Sequence, residues 1–247
     1  MRSGYAGYTG QAVSVTADAM TTSVLAAGVG VRRGWRPRRA ESAWALRSAS
    51  FRLDAPLSGA AAFGIETSGP DSATALVDLL AGLSRPAYGE LRVLGEDLTT
   101  TRGRSAVRAQ VGVARRAARP QFAFRVRGLV EHAARLARMP RRVRDPLAAA
   151  IVDRLSLGPW ADVPMRLAPD VICRRARLAA AAVHQPDLLL IDGLLDGLRP
   201  ADASALADAI RDLGSDMTIV ATGRDPAVLG LACGEILTMA DGILVRP

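Results

Sequence analysis

The side chain best placed to do chemistry in this sequence is Asp192. It follows the unbroken apolar run Leu188–Ile191, which is typical of a central parallel strand covered on both faces. A second group of oxygen atoms lies in the polar turn Thr67–Thr74, between a short apolar run at 60–65 and a helical pattern at 73–83. A carboxylate and several hydroxyls are therefore the groups from which a site could be built.

The histidines and cysteines do not suggest a second site. We expect His132 and His184 to be surface or capping residues of helices, since no set of carboxylates or cysteines stands at ligand spacing around His132. Cys173 and Cys233 lie far apart in apolar surroundings, which favours two buried thiols in a reducing compartment. The sequence therefore predicts neither a metal cluster nor a disulfide.

Alternating strands and helices must position these residues. We predict strands at 23–31, 44–53, 60–65, 90–94, 111–114, 188–192, 218–222 and 235–239. We predict helices at 73–83, 126–138, 146–155, 171–184, 201–213 and 226–232. Such alternation indicates a parallel α/β sheet. A mostly helical block at about 117–185 interrupts it.

The composition fits a globular protein. With 247 residues, of which 49% are hydrophobic, the chain can bury an ample core. No stretch reaches the roughly 18 consecutive apolar residues of a membrane span. Residues 1–20 have no apolar period and read as a flexible tail, with Met20 as an alternative start. We therefore expect a cytoplasmic protein.

The net positive charge of the chain is only a weak indicator of its binding partners. The formal net charge is +8, and every basic residue is an arginine. The complete absence of lysine favours a coding bias over selection for phosphate contacts, because a generally basic surface is a weak indicator of partners. Only 4% of the residues are aromatic, which disfavours a stacking platform for single-stranded nucleic acid. We expect no DNA partner.

Three segments resemble the ATP-binding cassette of ABC transporters, from about residue 23 to the end of the chain. The first runs from Leu79 to Gly95 and is similar to the family's LLAGLxxPxxGxxxxxG segment. The second is Gln185–Asp192, which resembles the Walker B strand, and the third is Asp241–Val245, which looks like the closing DGRIV strand. Their order and spacing together imply the fold of that family.

The resemblance also locates a degenerate phosphate-binding loop. Its positions are Thr67, Ser68, Gly69, Pro70, Asp71, Ser72, Ala73 and Thr74. A functional loop reads GxxxxGK[ST], in which glycines bring N–H groups to the phosphates, lysine bridges them and the hydroxyl holds Mg²⁺. Here Thr67 and Ser72 replace the two glycines and Ala73 replaces the lysine. Thr74 keeps a hydroxyl for Mg²⁺, or is simply a residue of the first helical turn.

Two further features of this loop oppose phosphate binding. Pro70 has no N–H to donate. Asp71 places a negative charge at the helix N-terminus that would otherwise hold phosphate. Because the loop has lost its ligand, we predict that Asp71 or Ser72 caps the helix instead, bonding the first-turn N–H groups.

The other catalytic positions of the family are also replaced. Arg116 stands at the Q-loop glutamine, and Ala168–Ile172 stands at the LSGGQ signature. Asp192 is kept at the end of the Walker B strand, but the next residue is Gly193, where the family has the glutamate that acts as general base. One residue of Gly223–Arg224 replaces the switch histidine.

The expected fold class is α/β, with a P-loop NTPase-like mixed or parallel sheet and an inserted helical subdomain. We expect a tail at 1–20 and one cassette domain at 21–247, whose core comprises 21–116 and 186–247 and whose helical subdomain spans about 117–185. The resemblance alone implies ATP and Mg²⁺ as cofactors; with these replacements, we expect neither to bind.

The expected function is a pseudo-ATPase subunit of an ABC transporter at the inner face of the plasma membrane. Its implied partners are a membrane-spanning subunit and a second cassette, in a homodimer or heterodimer. One alternative is a soluble scaffold or regulator whose arginine-rich loop Arg32–Arg39 contacts an acidic partner or RNA. Another is an active ATPase with unusual residues.

Overall fold

The structure is a computed structural model that describes residues 22–32, 44–54, 62–67, 69–116, 123–240 and 243–245. The predicted tail 1–20, nearly all of the loop Arg32–Arg39, and Ser68 lie outside these residues. The strands are β1 Thr22–Arg32, β2 Trp44–Asp54, β3 Ala62–Thr67, β4 Tyr88–Val93, β5 Glu96–Asp97, β6 Val111–Arg115, β7 Leu188–Asp192, β8 Thr218–Gly223, β9 Glu235–Ala240 and β10 Ile243–Val245. The helices are α1 Pro70–Leu80, α2 Thr101–Gln110, α3 Val126–Leu136, α4 Arg141–Arg154, α5 Asp170–Ala182, α6 Pro200–Leu213 and α7 Pro226–Leu229.

A six-stranded sheet brings the predicted site residues together. Its order is β10-β9-β3-β8-β7-β6, and every neighbouring pair is parallel except β9 and β10. Strand β8 lies between β3 and β7, with Glu66 opposite Gly223 and Asp192 opposite Thr222. The turn after β3 and the carboxylate of Asp192 therefore meet at one edge, where parallel sheets place their ligands.

A second, antiparallel sheet has the strand order β2-β1-β4-β5. Its inner face and α1 share an apolar core with the six-stranded sheet, which includes Leu46, Leu76, Leu91 and Leu190. Helix α1 packs against both sheets, since it contacts β2 as well as β7. The position of α1, and of the turn at its start, is thus fixed by burial on two sides.

The helical block consists of α3, α4 and α5. Helix α3 packs on α4 and α5, and α5 also packs on β6 and α6. One apolar cluster includes Val130 and Ile151 from the block and Leu189 and Leu206 from the sheet side. Helices α3 and α4 are therefore joined to the sheet mainly through α5.

The predicted strands agree with the structure to within about two residues, and most helices begin within one residue of the predicted start, but α1 and α4 begin earlier than predicted. The strand Leu188–Asp192 is confirmed to the residue. Helix α1 begins at Pro70, three residues before the predicted start at 73, because apolar spacing marks the buried face of a helix and not its first turn. No helix among the described residues is long and apolar enough to cross a membrane.

Candidate functional site

A cavity of about 420 Å³ lies at the edge of the six-stranded sheet where β3, β7 and β8 end. Its lining residues are Thr67, Ala73, Thr74, Arg116, Asp192, Gly193, Asp196, Thr222, Gly223 and Arg224. The structure therefore brings together eight of the positions named from the sequence: Thr67, Ala73, Thr74, Arg116, Asp192, Gly193, Gly223 and Arg224. Asp196 and Arg224 complete the wall opposite α1.

The start of α1 differs from the prediction. The expectation that Asp71 or Ser72 caps this helix is wrong, because the N-cap residue is Gly69, which has an extended backbone and no side chain to form a cap. Asp71 and Ser72 lie inside the first turn instead. Pro70 takes the first helical position, where its missing N–H removes no helix hydrogen bond. The helix start thus depends on the extended backbone of Gly69 and the proline at position 70, and not on a side-chain cap.

Asp192 is held by two hydroxyls. Thr74 Oγ1 donates to Asp192 Oδ2 at 3.0 Å, and Thr222 Oγ1 lies 3.5 Å from Asp192 Oδ1. Burial raises the pKa of the Asp192 carboxyl, and the neighbouring Asp78 adds to the rise. The Thr74 hydrogen bond and the charge of Arg115 oppose it. The nearest hydrogen-bond donor to the Asp192 carboxylate is consequently the hydroxyl of Thr74.

The replaced loop positions line the same cavity with apolar or bulky groups. Thr67 is only 2% exposed and stands at the end of β3, where the functional loop pattern has a glycine. Ala73 is 5% exposed and lies one residue before Thr74, at the lysine position. A methyl group thus occupies the place of the cation at this wall of the cavity.

Arg116 brings a positive charge to the opposite wall. Its backbone N–H donates to Asp192 O at 2.9 Å, which fixes the residue beside β7. Its guanidinium passes close to the loop after β7, since a Cβ built on Gly197 would lie 3.5 Å from Arg116 Nη2. The Q-loop position therefore carries an exposed cation in place of an amide.

Gly193 follows Asp192 with a left-handed backbone, at a φ of 63°. Its N–H donates to Thr222 O at 3.1 Å, and its carbonyl accepts from Asp196 N at 3.2 Å. These two bonds hold the turn that leaves β7. Residues with a Cβ are strained at such a φ, which explains why glycine stands here.

Asp196 is a site residue that the sequence analysis did not select. Its Oδ1 accepts the backbone N–H of Arg224 at 3.0 Å, and its Oδ2 lies 4.0 Å from Arg224 Nε. The carboxylate thereby ties the loop after β7 to the end of β8. No local motif marks this role, because the partners are 28 residues apart in sequence.

The segment at the signature position is tied to the same loop. Helix α5 begins at Asp170, with Pro169 as its N-cap residue. Asp170 accepts two hydrogen bonds from Arg174, whose side chain is 3% exposed. Arg174 Nη1 in turn donates to Leu194 O and to Asp196 O, each at 2.7 Å. A buried arginine therefore fastens the start of α5 to the loop after β7.

A second cavity, of about 240 Å³, lies between α3, α5 and β6, and we call it the α3 groove. Its lining residues are Val113, Arg115, Leu129, His132, Ala133, Leu136, Arg177, Ala180 and Ala181. Arg115 forms an ion pair with Asp78 of α1. Arg177 Nη1 donates to Arg116 O at 3.2 Å, so the groove is linked to the wall of the first cavity.

The remaining reactive residues form no metal site in the described part of the chain. Cys173 and Cys233 are buried free thiols, as predicted, and burial raises the pKa of Cys233 to about 12. His132 lies in the α3 groove, with its ring centroid 4.9 Å from that of Phe124. His184 follows α5, and burial lowers its pKa.

Comparison with known sequences connects this geometry to one group of proteins, although no protein-family model matches the chain. A methionine import ATP-binding protein, MetN of Geobacillus kaustophilus, is 25% identical over 189 residues, which cover 74% of this chain and 55% of the relative. MetN 2 of Burkholderia mallei is 28% identical, over 74% of this chain and 48% of the relative. The daunorubicin resistance ATP-binding protein DrrA3 of Streptomyces coeruleorubidus is 29% identical, over 62% of this chain and 49% of the relative. The chain thus spans about half the length of these relatives.

Solved structures agree on the fold. CbiO1 of Clostridium perfringens, described as part of the ABC transporter complex CbiONQ, superposes with a TM-score of 0.76 at 16% identity, over 91% of this chain and 87% of that one. The ATP-binding cassette MJ0796, in a dimeric structure with ADP and Pi, gives a TM-score of 0.71 at 17% identity, over 90% of this chain and 97% of that one. The predicted fold class is confirmed. The chain has the fold of the ABC ATPases and is recognised, by sequence and structure together, as a relative of the ATP-binding cassettes of ABC transporters.

Proposed function

We propose that the chain is a cassette subunit of an ABC transporter that acts as a pseudo-ATPase, docking on a membrane-spanning partner without standard ATP hydrolysis. The observation that carries the proposal is the surroundings of Asp192. The residue after it is Gly193, so the general base of the family is missing, and the cavity wall at Ala73 carries a methyl group in place of the lysine. Losing both groups removes the base and a major phosphate contact at once.

The cavity residues do not fit Mg-ATP in the manner of the family. No lysine exists elsewhere in the chain to replace the missing one. The buried Thr67 side chain stands where a glycine would let backbone N–H groups approach the phosphates. Thr74 and Asp192, the two positions suited to Mg²⁺, are hydrogen-bonded to each other at 3.0 Å.

Asp196 is the other carboxylate of the cavity, and its contacts argue against a substitute base. Its Oδ1 accepts the Arg224 N–H, and the Arg224 guanidinium lies beside its Oδ2. Both carboxylate oxygens therefore already face donor groups of Arg224. The proposal therefore assigns Asp196 a role in holding the loop after β7.

The partners are proposed from the relatives and from the α3 groove. CbiO1 is part of an ABC transporter complex and MJ0796 forms a dimer. By analogy, this chain would pair with a second cassette, as a homodimer or heterodimer, and bind a membrane-spanning subunit at the inner face of the plasma membrane. The α3 groove is the proposed docking site, since Leu129 and Leu136 provide apolar walls beside the cationic Arg115 and Arg177.

The test has two arms. Phosphate release and calorimetric titration of the purified full chain with Mg-ATP should give no turnover and no micromolar site. Affinity purification from membranes of the native host should recover a multispanning membrane protein, and Leu136→Asp at the exposed edge of the groove should reduce that recovery. Hydrolysis that disappears in Asp192→Asn would overturn the pseudo-ATPase assignment, whereas a chain recovered without any membrane protein would overturn the docking assignment.

A further inference from the structure

The corner between α3 and α4 combines apolar and cationic side chains in a short segment. We call residues 135–143, Arg135-Leu136-Ala137-Arg138-Met139-Pro140-Arg141-Arg142-Val143, the basic corner. The chain reverses between the end of α3 at Leu136 and the start of α4 at Arg141, with Arg138 in the left-handed region at a φ of 55°. Apart from the half-buried Met139, every residue of the corner is exposed.

Two of the most exposed large apolar side chains lie on the basic corner. Leu136 is 71% exposed and Val143 is 42% exposed. Leu136 forms one edge of the α3 groove, and the rest of its surface faces outward. Exposed apolar residues that occur singly are ordinary, but these two lie in one short exposed segment that also carries several arginines.

Several arginines of the basic corner are exposed and have no ion-pair partner in the described part of the chain. Arg135, Arg138 and Arg142 are exposed, and none of them has an ion pair among the described residues. Arg141 shares the single carboxylate of Asp145 with Arg144. Some exposed arginines elsewhere, such as Arg199 and Arg211, pair with an aspartate three residues away in sequence. A coding bias accounts for the number of arginines in the chain but not for this concentration of unpaired ones.

We propose that the basic corner binds the surface of an anionic lipid membrane, with the arginines on phospholipid headgroups and Leu136 and Val143 entering the interface. Arginine heads attract anionic headgroups, and apolar side chains at the same level add burial in the interfacial region. An exposed helical corner suits a lipid surface, which has no fixed shape to match, better than it suits a peptide that needs a groove. The phosphates of a nucleic acid would use the arginines but not the two apolar tips.

The proposal goes beyond docking on a membrane protein and does not depend on the state of the nucleotide cavity. Its test uses the full chain and two kinds of vesicle, phosphatidylcholine alone and an equal mixture of phosphatidylcholine and phosphatidylglycerol. In co-sedimentation, the protein should bind the mixed vesicles and not the neutral ones. The triple variant R135Q/R138Q/R142Q should lose about ten-fold or more of this binding, and Leu136→Gln should weaken it about three-fold or more.

The matched control is R85Q/R102Q/R166Q, which removes the same charge from exposed arginines outside the corner. It should retain binding within about two-fold. Equal losses in the two triple variants would show that net charge alone drives binding and would overturn the proposal. Equal binding to both kinds of vesicle would overturn it as well. The proposal would also be overturned if an acidic polypeptide or RNA bound the basic corner and prevented the protein from binding vesicles. Circular dichroism of each variant checks that it is folded.

Discussion

Thr74 Oγ1 donates a hydrogen bond to Asp192 Oδ2 at 3.0 Å, joining residues 118 positions apart. The bond ties the first turns of α1 to the carboxyl end of β7 at the edge of the six-stranded sheet. It joins the hydroxyl and the carboxylate at the two positions that the resemblance assigns to Mg²⁺.

Thr74→Val should therefore destabilise the protein. The change keeps the shape of the side chain but leaves Asp192 without its best donor in a mostly buried position, at a cost of about 1–3 kcal/mol. Urea unfolding at neutral pH measures the difference. Thr74→Ser keeps the hydroxyl and is the control, which should lose less than half as much. A Val variant as stable as the wild type would show that the bond contributes nothing.

The ionisation of Asp192 should appear in the pH dependence of stability. Burial raises the pKa of Asp192 in the folded protein above the ordinary 3.8. At a pH between the ordinary pKa and the raised pKa, the folded protein therefore binds more protons than the unfolded chain. The associated stability is fully present below the ordinary value and is lost as the pH rises through the raised pKa. Asparagine does not titrate. The stability of Asp192→Asn relative to the wild type should therefore increase as the pH rises through the raised pKa of Asp192.

Urea unfolding of the wild type and of Asp192→Asn, measured at a series of pH values from about 3 to 7, checks this prediction. The difference between the two proteins cancels the titration of all other groups. A difference that stays constant with pH, or that changes in the opposite direction, would mean that the hydrogen bond from Thr74 and the charge of Arg115 outweigh the effect of burial.

Arg174→Leu should be among the most damaging single changes. The substitution leaves the buried Leu194 O and the part-buried Asp196 O without their donor, and a buried acceptor left unsatisfied costs about 1–3 kcal/mol. The ion pair itself adds little, because Asp170 is 64% exposed. We expect a loss of about 2–5 kcal/mol in the free energy of unfolding. Thermal and urea unfolding provide the measurement.

Arg199→Leu is the matched control for Arg174. Arg199 also pairs with an aspartate three residues away in sequence, Asp202, but its side chain is 85% exposed. Its loss should cost about 1 kcal/mol or less. Similar losses in the two variants would contradict the view that the carbonyl contacts of Arg174 fasten α5 to the loop after β7.

The sequence predicts the sheet better than it predicts the contacts within the site. The run Leu188–Asp192 is apolar on both faces, so its limits as a strand are visible without the structure. Helix α2 was not predicted, because it buries only Gly103 and Val107 and has no apolar face. Its start is signalled by Thr100, whose side chain accepts the Gly103 N–H.

The site residues that were missed share one feature. Asp196 and Arg174 act through partners in other segments, at sequence separations of 28 and 20–22 residues. No local pattern encodes such a contact. Positions taken from the resemblance, such as Thr74 and Asp192, were found because the family's motifs already connect distant segments. Apolar spacing alone places the start of α1 three residues too late, although proline is typical of the first helical position and Pro70 marks the true start.

Restoring the family's glutamate at Gly193 should create no ATPase and should reduce stability. Gly193 has a φ of 63°, where a residue with a Cβ is strained by about 1–2 kcal/mol. A Cβ there has ordinary contacts, 3.4 Å from Asp196 Oδ2, so Gly193→Ala isolates the backbone cost. Gly234→Ala, at a glycine with open space around its Cβ position, should be nearly neutral.

We expect Gly193→Glu and Gly193→Ala to lose similar stability in urea unfolding. Gly193→Glu should release no phosphate, since Ala73 and Thr67 still replace the phosphate-binding groups. Turnover by this variant would show that the base was the only part missing.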